Sequence, residues 1–149
     1  MFQARLKPAQ WVPYIRNLHR YEMEIGKYKL KDFTQSNDEK EIIQTMTSII
    51  LKSKLIPSKT MESNDGYIME ANYYTPKLAW LDVVTLNIVI NKSDNIINIH
   101  GIGESTGLFP LIVPLAPVLN IVTCWFPFDD WGNNKRYLKT IQSNINSKL

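Results

Sequence analysis

Four side chains supply the ingredients of cysteine-based nucleophilic catalysis, but their spacing does not assemble a site. Cys124 is the single cysteine, and His100, Glu104 and Asp129 are the residues that could act as base and orienting acid. Their separations match no diagnostic arrangement of nucleophile and base. Cys124 also lies in a long apolar stretch, where a small thiol is normally buried and unreactive. The sequence therefore assigns no catalytic residue, and an enzyme is the less favoured interpretation.

Metal binding has equally little support. The two histidines, His19 and His100, lack the i, i+4 spacing with which one helix presents two ligands to a zinc ion. One cysteine excludes both an intramolecular disulfide and a cysteine-rich zinc site. We expect no metal and no other cofactor.

A polar segment near the C-terminus has the residue types that bind anions. Within Asp130–Arg136, Asn134 and Arg136 open a predicted helix, where they could hold a carboxylate or phosphate group. The glycine-rich segment Gly101–Gly107 could add backbone donors, although it lacks the Gly-Lys-Ser/Thr signature of a phosphate loop. A purely structural role as a helix start is the alternative. We expect any polar site to lie where these two segments meet.

The segment Ser105–Phe128 contains no charged residue, although 21% of the whole chain is charged. It is long enough to span a bilayer, but Pro110, Pro114, Pro117 and Pro127 exclude an ordinary helix. An apolar segment of this kind packs into the core, lines a pocket, or contacts a partner or a membrane surface. We expect an uncharged insert in a globular domain rather than a transmembrane helix.

The leading functional interpretation follows from this insert. We expect a non-enzymatic binding or interaction domain that holds a hydrophobic small molecule or a protein partner. The expected ligand-binding residues are apolar and aromatic side chains of the insert and its C-terminal flank: Leu111, Val113, Leu115, Val118, Trp125, Phe126 and Trp131.

Two alternatives remain open. In the first, residues 108–128 insert into a membrane surface, and Lys27, Lys29 and Lys31 supply the second signal that stable attachment requires. In the second, a small enzyme uses Cys124 or the anion site at 130–136. Nucleic acid is not an expected partner, because the net charge of +3 comes from 17 basic and 14 acidic residues spread along the chain.

The elements that position these residues begin with one amphipathic helix. Asn37 or Asp38 is a suitable N-cap, and the apolar residues that follow recur at helical spacing as far as Leu55. Pro57 is predicted to end this helix. Its buried stripe is expected to comprise Ile42, Ile43, Met46, Ile49, Ile50 and Leu55.

Alternating patterns then predict a meander. Segments 58–63 and 67–74 form a hairpin around Asn64–Gly66, and strands 83–90 and 96–103 follow. On the third strand Val84, Leu86, Ile88 and Ile90 share the face expected to pack on the helix. The predicted fold class is α+β, an antiparallel sheet of about four strands packed against two or three helices, with a proline-rich apolar insert.

One domain is expected to span the whole chain. It comprises an N-terminal arm and first strand (1–35), the helix and meander (38–103), the insert (105–128) and a C-terminal helix (130–149). That last helix is predicted to bury Tyr137, Leu138, Ile141 and Ile145, with Asp129 or Asp130 as cap. A short helix or ordered arm is expected over 11–21. The single cysteine and the lack of a signal-peptide pattern favour an intracellular protein.

The order of these elements resembles a known family. Three segments carry the resemblance: Tyr74–Val83, with its Asp-Val strand start, Gly101–Gly107, and Asp130–Arg136 before the last helix. In this order they are similar to the family called domain of unknown function 1499, over about residues 39–143. That family has a Ser-rich strand end followed by an Asp-x-Gly-x-Asn-x-x-Arg helix start. This chain departs from it by placing the apolar insert between the two. The resemblance implies a fold and no chemistry.

Overall fold

The computed structural model describes residues 20–34, 39–74, 81–105, 114–115, 118–119 and 132–148. The regular elements of these residues are β1 (Arg20–Lys29), a 3-10 helix (Leu30–Asp32), α1 (Glu39–Lys52), β2 (Ile56–Ser63), β3 (Gly66–Tyr74), β4 (Leu81–Asn91), β5 (Ile96–Ser105) and α2 (Asn133–Asn146). The predicted α+β class is confirmed.

The strands form one five-stranded sheet in the order β1-β5-β4-β3-β2, with every neighbouring pair antiparallel. The predicted meander corresponds to β2–β5, and β1 adds a fifth strand beside β5. The prediction of about four strands was therefore too low. A bulge between Glu24 and Gly26 interrupts the alternation of β1, so its sequence pattern is weak. Arg20 and Tyr21, assigned to the possible helix over 11–21, lie in β1, and residues 11–19 lie outside the described residues.

The predicted β2–β3 hairpin is present, and its glycine has a positive φ. The turn residues are Asn64 and Asp65, and Gly66 is the first residue of β3, with a φ of 153°. A Cβ atom at Gly66 would overlap the carbonyl oxygen of Ile88 on β4. The glycine is therefore required by close contact between β3 and β4 as well as by its backbone conformation.

Helix α1 ends at Lys52, well before Pro57. Lys54 adopts a left-handed φ of 61°, and its N–H donates to the carbonyl oxygen of Leu51 at 2.9 Å. The N–H of Leu55 donates to the carbonyl oxygen of Ile50 at 3.2 Å. This pair of bonds is a Schellman motif, so the prediction that Pro57 ends the helix was wrong. Pro57 instead lies in the edge strand β2, where a missing N–H is tolerated.

The two helices contribute to one hydrophobic core on one face of the sheet. Met46 of α1, Leu138 of α2, and Val84 and Leu86 of β4 are all fully buried in the same cluster. Helix α2 lies against β1, β5 and β4, while α1 contacts α2 and β2. The predicted apolar face of β4 therefore packs on α2 and shares one core cluster with α1, rather than packing on α1 alone. The predicted buried stripe of α2 is confirmed: Tyr137, Leu138, Ile141 and Ile145 are buried. The opposite sheet face includes Thr85, Asn87 and His100 and has no described helix on it.

Candidate functional site

Several chain segments begin or end at one edge of the sheet. Tyr74 ends β3 opposite the start of β4, and Asp82 of β4 pairs with Ser105, the last residue of β5. The first turn of α2 reaches the same place, because the side chain of Asn134 contacts that of Ser105. The residues that flank segments 75–80 and 106–131 therefore lie at this edge, which we call the loop edge.

Four polar side chains are buried together at the loop edge. Asp82, Ser105, Asn134 and Tyr137, which we call the polar cluster, are each less than 7% exposed. The hydroxyl of Ser105 donates to Oδ1 of Asp82 at 2.7 Å, and the hydroxyl of Tyr137 donates to Oδ2 of the same carboxylate at 3.1 Å. Nδ2 of Asn134 donates to Oγ of Ser105 at 3.3 Å. The cluster thus links β4, β5 and α2 through buried hydrogen bonds.

The electrostatics of this cluster favour a structural role for its tyrosine. Burial raises the pKa of Tyr137 well above its ordinary value, and the charge of Asp82 and the hydrogen bond to it raise the pKa further. The ring of Tyr137 also packs against that of Tyr73, with 4.7 Å between centroids. Tyr137 therefore stays protonated near neutral pH and serves as a hydrogen-bond donor.

Two glycines of β5 let α2 approach the sheet. A Cβ at Gly101 would lie 2.6 Å from Cδ2 of Leu138, and one at Gly103 would lie 2.9 Å from Cβ of Asn134. Both separations are too short for ordinary carbon contacts. These glycines of the Gly101–Gly107 segment thus permit helix packing, which is a different role from the backbone donation to an anion considered from the sequence.

Two of the predicted ligand-binding residues are described, and both are exposed. Leu115 is 73% exposed and Val118 is 55% exposed, whereas large apolar side chains are usually buried. They lie in one turn, in which the N–H groups of Val118 and Leu119 donate to the carbonyl oxygen of Leu115 at 2.9 and 3.0 Å. The other five predicted residues lie outside the described residues: Leu111, Val113, Trp125, Phe126 and Trp131.

The backbone at Leu115 is unusual for its residue type. Its φ of 60° lies in the left-handed region, which is unfavourable for a side chain larger than glycine or asparagine. A residue that is both exposed and apolar, in a backbone conformation of this kind, gains little from folding. Such positions are concentrated at functional sites.

The structure separates the two predicted anion-binding residues. Asn134 is fully buried in the polar cluster, while Arg136 is exposed on the outer surface of α2. Two positions along a helix correspond to about 200° of rotation, so the side chains leave opposite sides of α2. The two predicted segments do meet at the loop edge, but Asn134 and Arg136 do not form a joint site there.

The other candidates for chemistry are also apart. His100 and Glu104 lie on one face of β5 four positions apart, or about 13 Å along the strand, and Glu104 forms an ion pair with Arg20 at 3.7 Å. Cys124 and Asp129 lie outside the described residues. Within the described ranges, no three His, Cys, Asp or Glu side chains are grouped closely enough to share a metal ion. Helices in the same ranges are too short or too polar to cross a membrane.

The three lysines of the N-terminal region do not share one strand face. Lys27 and Lys29 are on the open face of β1, but Lys31 lies in the 3-10 helix that follows. All three line one open cavity of about 490 Å³, together with Asp94. This cavity lies beside the start of β5, at the far end of the sheet from the loop edge.

Sequence reasoning missed Asp82 and Tyr137 as members of a polar site. A signal for Asp82 was present, because alternation places it on the same face of β4 as Val84 and Leu86. A carboxylate on a buried face requires hydrogen-bond donors. Tyr137 was assigned only to the buried stripe, since nothing in the sequence indicates what its hydroxyl contacts.

Comparison with known proteins adds no relative to this description. No family model, no curated protein and no solved structure matches the chain, so its own residues carry the functional argument.

Proposed function

We propose that this protein is a non-enzymatic interaction domain that docks on an apolar surface of a partner protein through the segment 108–128. The observation that carries the proposal is the exposure of Leu115 and Val118 within a single turn. Solvent-exposed apolar side chains that adjoin each other in an uncharged segment are typical of contact surfaces.

The attachment of this segment supports a presenting role. Ser105 precedes segment 106–131 and Asn134 follows it closely, and their side chains are joined by a hydrogen bond of 3.3 Å. The described residues on the two sides of the segment thus meet at one buried point of the scaffold. Long connections that emerge from such a scaffold are commonly functional.

A docking surface is better supported than an enclosed ligand pocket. Three cavities lined by described residues, of about 380 to 490 Å³, contain neither Leu115 nor Val118 in their walls. A small hydrophobic molecule is normally held in a concave site that covers most of its surface. High exposure of Leu115 and Val118 fits contact with a second macromolecule more closely.

The double variant Leu115→Asn/Val118→Asn tests the proposal. Asparagine tolerates the left-handed backbone of Leu115, so we expect the stability to change by no more than about 1 kcal/mol. Fluorescence of an anilinonaphthalene dye should rise with the wild type and rise much less with the variant. Leu51→Asn is the matched control, because Leu51 is 57% exposed on α1 and should leave dye binding unchanged.

A partner assay completes the test. Chemical cross-linking in native extract should give adducts that the double variant loses and Leu51→Asn retains. Equal adducts and equal dye fluorescence in all three proteins would contradict the proposal.

The membrane alternative is distinguished by flotation with neutral and anionic vesicles. The lysine cavity lies at the opposite end of β5 from Ser105, about 30 Å along the strand. The lysines and the attachment point of the apolar segment, which the membrane alternative combines, therefore lie at opposite ends of the sheet. Flotation that depends on Leu115 and Val118 would favour the membrane over a partner protein.

Kinship with the domain of unknown function 1499 family is a separate proposal. Its support is that the three segments carrying the resemblance each place a residue in the polar cluster: Asp82, Ser105 and Asn134. Tyr137 stands where the pattern Asp-x-Gly-x-Asn-x-x-Arg has arginine. An alignment of homologues in which these three positions vary independently would contradict the kinship.

A further inference from the structure

The outer surface of α2 carries a cavity whose charged lining is entirely cationic among the described residues. The cavity has a volume of about 410 Å³ and is lined by Lys135, Arg136, Lys139, Thr140 and Ser143, with Gly132 at its N-terminal end. Helix α2 itself contains no aspartate or glutamate. The cavity lies opposite the buried stripe of α2, so its side chains are not needed for the core.

These cations lack the partners that usually accompany surface charges. In the described part of the chain, no carboxylate lies within ion-pair distance of Lys135, Arg136 or Lys139. Lys135 lies over the face of the Tyr21 ring, 5.7 Å from its centroid. As far as the described residues go, the guanidinium of Arg136 and the ammonium of Lys139 are therefore available to a ligand.

The arrangement is unfavourable for the isolated helix. Lys135 and Lys139 are at i, i+4 and Arg136 and Lys139 at i, i+3, so the like charges repel one another. All three are in the N-terminal half of α2, where the helix dipole is already positive, and the first turn has no acidic residue. An anion in the cavity would relieve this repulsion.

We propose that this cavity binds the phosphate group of a phosphorylated ligand. Arg136 donates the bidentate pair of hydrogen bonds that a phosphate accepts, and Lys135 and Lys139 balance its second negative charge. Three cations match a divalent phosphate better than a single carboxylate. The site differs from the pair predicted from the sequence, since Asn134 faces the polar cluster. It shares no described residue with the apolar docking surface.

Titration with inorganic pyrophosphate tests the site. We expect a saturable rise in the melting temperature of the wild type at constant ionic strength, and amide chemical-shift changes confined to residues 132–144. Arg136→Gln/Lys139→Gln should weaken binding roughly 10- to 100-fold, as expected when charge-assisted hydrogen bonds are lost. Without ligand, the same variant should melt at a higher temperature than the wild type. The control Lys27→Gln/Lys29→Gln makes the same change of charge at the lysine cavity beside the start of β5. It should bind pyrophosphate as tightly as the wild type does.

Flotation with lipid vesicles shows whether the phosphate belongs to a lipid headgroup or to a soluble ligand. A lipid headgroup is identified if the protein floats with phosphatidylinositol phosphate vesicles but not with phosphatidylcholine vesicles, and if this flotation requires Arg136. Pyrophosphate binding without flotation would identify a soluble ligand. The proposal is overturned if sodium chloride of equal ionic strength reproduces the melting shift, or if the two double variants lose binding equally.

Discussion

At the scale of single residues, the most consequential side chains are those whose surroundings conflict with their chemistry. Asp82 is a carboxylate in the core, and it is accommodated because Ser105 and Tyr137 donate to its two oxygens. Leu115 is the reverse case, since an apolar side chain is exposed on left-handed backbone. The first conflict is compensated within the fold, whereas Leu115 stays exposed and would be covered only by the partner that we propose.

Tyr137→Phe should destabilise the protein by about 1–3 kcal/mol at neutral pH, because it removes a donor from the buried Asp82 carboxylate. The pKa of Tyr137 is raised in the folded state, so its stabilising contribution is complete below the unfolded value of 10.0 and decreases as the pH rises above it. The difference in unfolding free energy between wild type and variant should therefore shrink above about pH 10.

Urea denaturation at several pH values between 7 and 11 measures this difference. Tyr74→Phe, at an exposed position on the same sheet, is the control and should change the unfolding free energy little. A difference for Tyr137→Phe that grows with pH would contradict the assigned hydrogen bond.

At the scale of elements, helix ends are determined by local backbone geometry more than by the nearest proline. Helix α1 ends in a Schellman motif that places Lys54 in the left-handed region, and this motif directs the chain into β2. In the same way, α2 lies close to β5 because Gly101 and Gly103 have no side chains to keep it away. The close approach of α2 at Gly103 places Asn134 of the polar cluster against the sheet.

Lys54→Gly should stabilise the protein by about 0.5–1 kcal/mol, because glycine adopts the left-handed conformation without a steric penalty. The gain is limited by the greater freedom of glycine in the unfolded chain. Lys52→Gly, inside the last turn of α1, is the matched control and should destabilise by about 1 kcal/mol. Chemical denaturation of both variants gives the comparison, and a loss of stability with Lys54→Gly would show that the helix end depends on the lysine side chain.

At the scale of the whole molecule, the described residues form a two-layer scaffold with the candidate docking segment attached at one edge. The core cluster draws its members from both helices and from strands β1, β3, β4 and β5. The loop edge carries the polar cluster, and the cavity of α2 begins beside it at Gly132. The lysine cavity lies at the opposite end of the sheet.

Replacement of residues 107–130 by a short Gly-Ser linker should preserve folding, because Ser105 and Asn134 already bring the two attachment points together. We expect a cooperative unfolding transition and loss of the dye fluorescence that depends on Leu115 and Val118. Circular dichroism and thermal melting measure the unfolding transition, and dye fluorescence measures the loss of the apolar surface. A variant that fails to fold would indicate that the segment belongs to the core.

The sequence by itself determined the α+β class, the buried stripe of α2, most of the buried stripe of α1 and the meander β2–β5, because these depend on local periodicity and burial. In the predicted α1 stripe, Ile43 is only partly buried and Leu55 lies beyond the end of the helix. It also indicated that the Gly101–Gly107 and Asp130–Arg136 segments would meet. Only the tertiary structure decided the pairing of β1 with β5, the convergence of Asp82 and Tyr137, and the separation of Asn134 from Arg136. The pairing of β1 with β5 and the contact of Asp82 with Tyr137 join residues that are distant in the chain. The separation of Asn134 from Arg136 depends on how α2 is rotated against the sheet. Spacing along a sequence does not specify either relation.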